Sequence, residues 1–279
     1  MPDVAPSDLP RLKAPPGTCD THMHFYDARY PTAPTATMTP PDASVEDYRA
    51  VQRRLGLSRT VVVQPTTYGT DNRCTLEGIA GLGLDAARGV ATVDATVSER
   101  ELETLTQSGI RGARFHMLRG GALPWGELDR IAAKVQGVGW HVQLQLDGRE
   151  LPDREAQVRG WPGTIVIDHV GKFLEPVPPD HPAFRILVRL VESGRVWIKL
   201  SAIYEVSKAG PPFYDDVGRL AKELIRIAPE RMLWASNWPH PGNWPQDEAV
   251  LLDTLLDWAP DEATRRRILV DNPAELYGF

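Results

Sequence analysis

The sequence predicts a single (β/α)8 barrel, and three observations predict it. Short β-branched or apolar runs alternate with longer stretches whose apolar residues recur at helical spacing. The runs number eight, the count at which a parallel sheet of this kind closes on itself. No Gly-rich dinucleotide fingerprint follows the first run, so the alternative, a doubly wound open sheet, lacks its usual mark.

The predicted strands lie near Thr18–His24, Thr60–Gln64, Val90–Asp94 and Gly112–His116, then near His141–Leu146, Thr164–His169, Arg195–Ser201 and Arg231–Ser236. Helical patterns fill Glu46–Leu57, Thr75–Arg88, Glu99–Gln107, Trp125–Val138, Ala183–Glu192 and Val217–Ala228. Gly or Pro punctuates most junctions, as at Gly56, Gly89, Gly109, Gly139, Gly163, Gly194 and Pro229. The first connection, residues 25–44, is long and Pro-rich, the composition of a lid or binding loop. The end, Gln246–Phe279, reads as extra helices, with Asp271-Asn272-Pro273 opening the last. No internal boundary appears, so residues 1–279 read as one domain.

Composition narrows the partners. Apolar and charged fractions of 42% and 24% are those of an ordinary globular chain. A net charge of −6 argues against a nucleic-acid partner, which favours a basic face. Cys19 and Cys74 stand in no zinc-type or disulfide framework and read as reduced thiols. The N-terminus shows no basic-then-apolar leader, and no run approaches the roughly 18 apolar residues of a membrane span. A cytoplasmic location is the expectation.

Catalytic groups of a barrel gather at the C-terminal ends of its strands. At the end of the first, alternation puts His22 and His24 on one face, toward the barrel mouth. The fourth strand carries Arg114 and His116 at the same spacing, and a guanidinium pointing inward needs an anion, internal or bound. The sixth ends in Asp168-His169, where His169 is the candidate and Asp168 an orienting group. On the seventh, Lys199 and Ser201 share a face. Gln64, Asp94 and Gln145 end strands as lining residues, while Tyr48 and Tyr204 stand where a phenol reaches the mouth or merely packs. His240 either meets a ligand or shapes its loop, and Trp238 and Trp244 flank it as candidate pocket walls.

Four segments, Asp20-Thr21-His22-Met23-His24, Asp168-His169-Val170-Gly171-Lys172, Asn237-Trp238-Pro239-His240 and Asn272-Pro273-Ala274-Glu275-Leu276-Tyr277, together carry a family likeness. From about Gly17 to Phe279 the chain resembles the amidohydrolase superfamily, in the branch of 2-pyrone-4,6-dicarboxylate lactonase and D-galactarolactone isomerase. The resemblance implies a barrel and lactone chemistry generally performed without a metal. Hydrolases of the superfamily carry Asp at the end of the last strand, as base for the attacking water. Asn237 stands there, and an amide accepts no proton at neutral pH. The isomerase also has Asn in that motif, but Gln where His22 stands.

On this likeness His22, His24 and His169 surround a lactone carbonyl, and Asn237 holds the nucleophile. Arg114, His116, Lys199, Gln64, Tyr48 and His240 are the expected substrate contacts. The leading reading is isomerisation of a sugar-acid, galactaro-type lactone. Its nucleophile is the substrate's own hydroxyl, whose effective molarity can reach about 10⁵ M or more. Second comes a metal-independent lactonase, and third a non-catalytic barrel that binds a metabolite. No cofactor is expected; the alternative is one divalent ion, zinc or manganese, on His22, His24 and His169. The expected partner is a small acidic lactone, with no nucleic acid or membrane, and the oligomeric state stays open.

Overall fold

The structure, a computed structural model, describes residues 9–242 and 246–279, so Trp244 lies outside the described residues. Eight parallel strands run in the order β1 to β8: β1 Cys19–Met23, β2 Arg59–Val63, β3 Ala87–Ala91, β4 Ile110–His116, β5 His141–Gln145, β6 Ile165–Ile167, β7 Val196–Leu200 and β8 Met232–Trp234. Helices α1 Val45–Leu55, α2 Arg73–Leu82, α3 Glu99–Gln107, α4 Leu128–Gln136, α5 Leu151–Gly160, α6 Pro182–Glu192, α7 Asp215–Ile227 and α8 Glu248–Trp258 follow the strands in turn. This is the (β/α)8 architecture the sequence predicts. No described helix is long and apolar enough to cross a membrane.

Local chemistry sets the ends of these elements. Ser44 caps α1 through a reciprocal box with Asp47, and Gly56 closes it at φ 74°. Helix α2 stops at Leu82, well short of Arg88, because Gly83 takes φ +93°. Strand β3 ends at Ala91, not Asp94: the Asp94 carboxylate folds back to accept from Thr96 N at 2.7 Å, and Asn72 accepts from Thr92 N at 2.9 Å. Helix α5 has no apolar stripe to announce it, since only Leu151 and Val158 are buried on it. Of the C-terminal helices, α8 is the barrel's own eighth, while α9 Glu262–Arg266 and α10 Asn272–Tyr277 are the additions.

Alternation sorts the strands into two layers. Val142, Leu144, Val196, Ile198 and Leu200 join the outer core against the helices. Val61, Val63, Val90, Val166, Trp197 and Leu233 fill the lumen, whose floor is closed by Tyr277 of α10. The lumen is therefore packed at the bottom and polar toward the top. The loop over residues 25–44 is tied down by the Tyr26–Ala43 bridge and by Ala33 N donating to Thr67 O at 2.8 Å.

Two irregularities shape the mouth. The β1–β2 register shifts between Asp20 and Met23, and Met23 packs in the outer core while Cys19 faces the lumen. Strict alternation would place those two on one face; the bulge resets the phase and aims His22 and His24 inward. No ladder joins β8 back to β1 among the described residues. That seam closes instead through Thr21 Oγ1 to Trp234 O at 2.8 Å, Asn237 N to His22 O at 2.8 Å and His24 N to Trp238 O at 2.8 Å. Buried Asp20 accepts from Ser236 N at 3.0 Å, from the Ser236 hydroxyl and from Tyr48 Oη at 3.0 Å.

Candidate active site

His22, His24 and His169 meet at the mouth as the sequence suggests. The His22 ring centroid lies 4.9 Å from those of both His24 and His169. All three are buried, and burial pushes their pKa values down, to about 3 for His24, so the rings stay neutral. His24 Nδ1 sits 2.8 Å from Val63 O, which makes it the protonated nitrogen and leaves Nε2 with a lone pair. His169 Nδ1 is held 2.8 Å from Ser201 Oγ. The chain here is strained: His169, Val170 and Lys172 all have φ near +50°, and a β-branched residue in that region is a genuine outlier.

Asp168 is more than an orienting group. Its Oδ2 accepts from Gln143 Nε2 at 3.1 Å, while its Oδ1, fully buried, has no hydrogen-bond donor. His22 Nδ1 lies 3.3 Å from that Oδ1, but the imidazole is neutral, so the contact is not an ion pair. His22 Nε2 is likewise buried without a partner. Ligand atoms of His22, Asp168 and His169 all lie within 4.8 Å of one another.

Unpartnered buried atoms on a neutral imidazole and a carboxylate, with a second neutral imidazole beside them, fit a divalent cation. This overturns the expectation of a metal-free site. It also corrects the expected ligand set: the group is His22, Asp168 and His169, with Asp168 in the place assigned to His24.

Arg114 is buried at the mouth with Nη1 on Gln64 O at 2.6 Å and Nη2 on Gln145 Oε1 at 3.0 Å. Its Nε has no partner, and none of the ion pairs among the described residues includes it. Burial lowers its pKa. The guanidinium thus meets neutral acceptors, and no carboxylate is hydrogen-bonded to it. His116 stands beside it with Nδ1 unpartnered and its pKa lowered by burial to about 3.

The side-chain polar atoms of other expected contacts are taken up within the protein. Lys199 is enclosed below the histidines, donating to Thr21 O at 2.6 Å and Gln143 Oε1 at 2.7 Å, and burial lowers it to about 8. Gln64 uses its amide inside its own loop, on Gly69 O, Asp71 O and Thr75 Oγ1. Tyr48 lies beneath the mouth, its hydroxyl between Asp20 and Thr60.

Asn237 and His240 belong to a second cluster, at the ends of β7 and β8. Asn237 Nδ2 donates to Tyr204 Oη at 2.8 Å and to Glu205 Oε1 at 3.0 Å. Glu205 also pairs with Lys172, whose ammonium burial lowers to about 7. His240, buried, has Nδ1 2.8 Å from Tyr204 Oη and Nε2 3.0 Å from Glu248 Oε1. Sequence reasoning missed Glu205 and Glu248, because both follow their strands by several residues and nothing local marks them as inward.

The geometry is that of a barrel enzyme with a cation-competent corner, and comparison with known proteins agrees. The amidohydrolase family model matches residues 19–279. The chain is 37% identical to D-galactarolactone isomerase of Agrobacterium fabrum, over 96% of this chain and 93% of that one. It is 34% identical to 2-pyrone-4,6-dicarboxylate hydrolase of Comamonas testosteroni, over 96% and 92%. An apo crystal structure of an Agrobacterium tumefaciens protein superposes with a TM-score of 0.91 at 36% identity, covering 97% of this chain and 98% of that one. Site and likeness together make the chain a member of the amidohydrolase family.

Proposed function

We propose that the protein opens the ring of a small anionic lactone by hydrolysis. The observation that carries this reading is the buried His22–Asp168–His169 group, with His22 Nε2 and Asp168 Oδ1 lacking partners. A divalent ion held there would polarise an acyl oxygen and lower the pKa of a water. His24 Nε2 offers a lone pair to a proton or a developing hydroxyl beside it. Arg114, without a carboxylate of its own, fits the anionic arm of the substrate. The Comamonas testosteroni hydrolase acts on a dicarboxylate by its name, in keeping with such an arm.

The sequence alone favours isomerisation. That is the second reading, and Asn237 is what favours it, because no carboxylate occupies its position and the 37% identical relative is an isomerase. Hydrolysis ranks first because it uses His22 and the cation group, which an intramolecular acyl transfer does not need.

Proton NMR of the metal-replete protein with 2-pyrone-4,6-dicarboxylate, and separately with galactaro-1,5-lactone, tests both. Direct appearance of the open acid supports hydrolysis. A 1,4-lactone formed ahead of any open acid overturns it in favour of isomerisation.

A further inference from the structure

Asn237 removes the base from the end of β8, yet hydrolysis requires a proton to leave the attacking water and reach the departing ring oxygen. We propose that Tyr204, backed by His240 and Glu248, carries that proton, an assignment that rests on the hydrolase reading above.

Hydrogen-bond direction supports it. An imidazole between a carboxylate and a phenol keeps its proton on the nitrogen facing the carboxylate, so His240 Nε2 donates to Glu248 Oε1 at 3.0 Å. Nδ1 is then an acceptor, and Tyr204 Oη donates to it at 2.8 Å. Asn237 Nδ2, which can only donate, reaches Tyr204 Oη at 2.8 Å, so the phenolic hydrogen is left to point at His240. One lone pair of Oη remains for a water or a substrate hydroxyl. The chain of bonds is the logic of an activated hydroxyl: a hydroxyl, a base, and a carboxylate that orients the base.

Burial follows the same order. Glu248 and His240 are buried, whereas Tyr204 is partly exposed, so the relay begins at the open end. Burial raises the Glu248 carboxyl, but the bond from His240 and the nearby Arg54 guanidinium outweigh it and hold Glu248 charged. Through that bond Glu248 orients the ring so that Nδ1 faces Tyr204. Burial raises the Tyr204 phenol, so Tyr204 keeps its proton at rest and passes protons without accumulating as phenolate. Glu205 and Lys172 flank the relay through Asn237.

The step balances. Water oxygen forms a bond to the acyl carbon as its proton passes to Tyr204 Oη and the phenolic proton passes to His240 Nδ1. The bond from acyl carbon to ring oxygen then breaks. Tyr204 gives a proton to that oxygen and recovers its own from His240.

Tyr204→Phe and Glu248→Gln test the relay. The amide introduced by Glu248→Gln can still accept from His240 but carries no charge. We expect Tyr204→Phe to lower kcat by about 10²–10⁴-fold and Glu248→Gln by at least about tenfold, with KM and melting temperature little changed. A residue that only shapes the loop would change KM or stability rather than kcat alone. In the resting protein, ¹⁵N NMR of His240 is expected to show the Nε2–H tautomer, and the Nδ1–H tautomer would overturn the relay. Should both variants keep kcat within about twofold of an active wild type, the relay is overturned and hydrolysis stands. Wild-type inactivity towards every lactone tried overturns the hydrolase reading and the relay with it.

Discussion

Around His22 the barrel mouth leaves buried polar atoms without partners: His22 Nε2, Asp168 Oδ1, His116 Nδ1 and Arg114 Nε. Around Asn237, on the same rim, the side chains of Glu248, His240, Tyr204, Asn237 and Glu205 bond one to the next. An unsatisfied buried polar group costs roughly 1–3 kcal/mol, so the first corner is costly alone and gains from a ligand. The second is complete without one. On the proposed function the contrast separates their work: the β1–β4–β6 corner would take up cation and anion, while the β7–β8 corner is preorganised.

Removing Asp168 would break the contrast most severely. Asp168→Asn is expected to lose the bound divalent ion, measured by elemental analysis, together with more than about 100-fold of turnover, since even the supporting partners of metal ligands are worth about 10–100-fold. Metal content unchanged from wild type would show that the corner does not need its carboxylate. Arg114→Leu is the next largest. KM for an anionic lactone should rise roughly 10–100-fold, the worth of a hydrogen bond to a charged group, with a smaller change for an uncharged analogue. Equal losses for both would mean that Arg114 braces Gln64 and Gln145 rather than seating an anion.

A pH series sharpens the comparison further. Buried His141, at the barrel floor beside Tyr277, is pushed down to about 3 by burial. Between the ordinary value of 6.5 and about 3 the unfolded chain binds its proton and the folded one does not, so stability falls as pH falls through this window. Denaturant titrations of His141→Gln should show that slope flattened by about 1.4 kcal/mol per pH unit. An unaltered slope in His141→Gln would contradict this. The smallest effect is at the seam. Ser236→Ala keeps the backbone bond to Asp20 but removes the hydroxyl that donates to Asp20 and accepts from Trp238 N. A loss of about 1–2 kcal/mol is expected, read as a melting temperature lower by several degrees, and an unchanged melting temperature would show that the seam does not depend on this hydroxyl.

Much of this is legible in the sequence, because strand periodicity and punctuation are local. The pairs His22 with His24 and Arg114 with His116 follow from period-2 alternation once their strands are placed. Even there the bulge at Asp20–Met23, which sets the phase, has no sequence mark. Asp168 reads as subordinate because its role depends on donors that fail to arrive, an absence only coordinates reveal. Tyr48 and Gln64 read as available, but Asp20 and Thr60, and the Gly69–Thr75 segment, claim their polar atoms. Glu248 reaches His240 from the first turn of α8, a contact set by how that helix docks.

The open seam between β1 and β8 couples stability to occupancy. His22 and Asn237 sit at its two lips, joined by the backbone bond from Asn237 N to His22 O rather than by a strand ladder. Any ligand that touches both lips works as a clasp, and its binding free energy is shared with closure of the barrel. At about a hundredfold saturation that linkage is worth roughly 2.7 kcal/mol. The ligand-free barrel should therefore breathe first along this line, and a ligand that spans it would lock the fold.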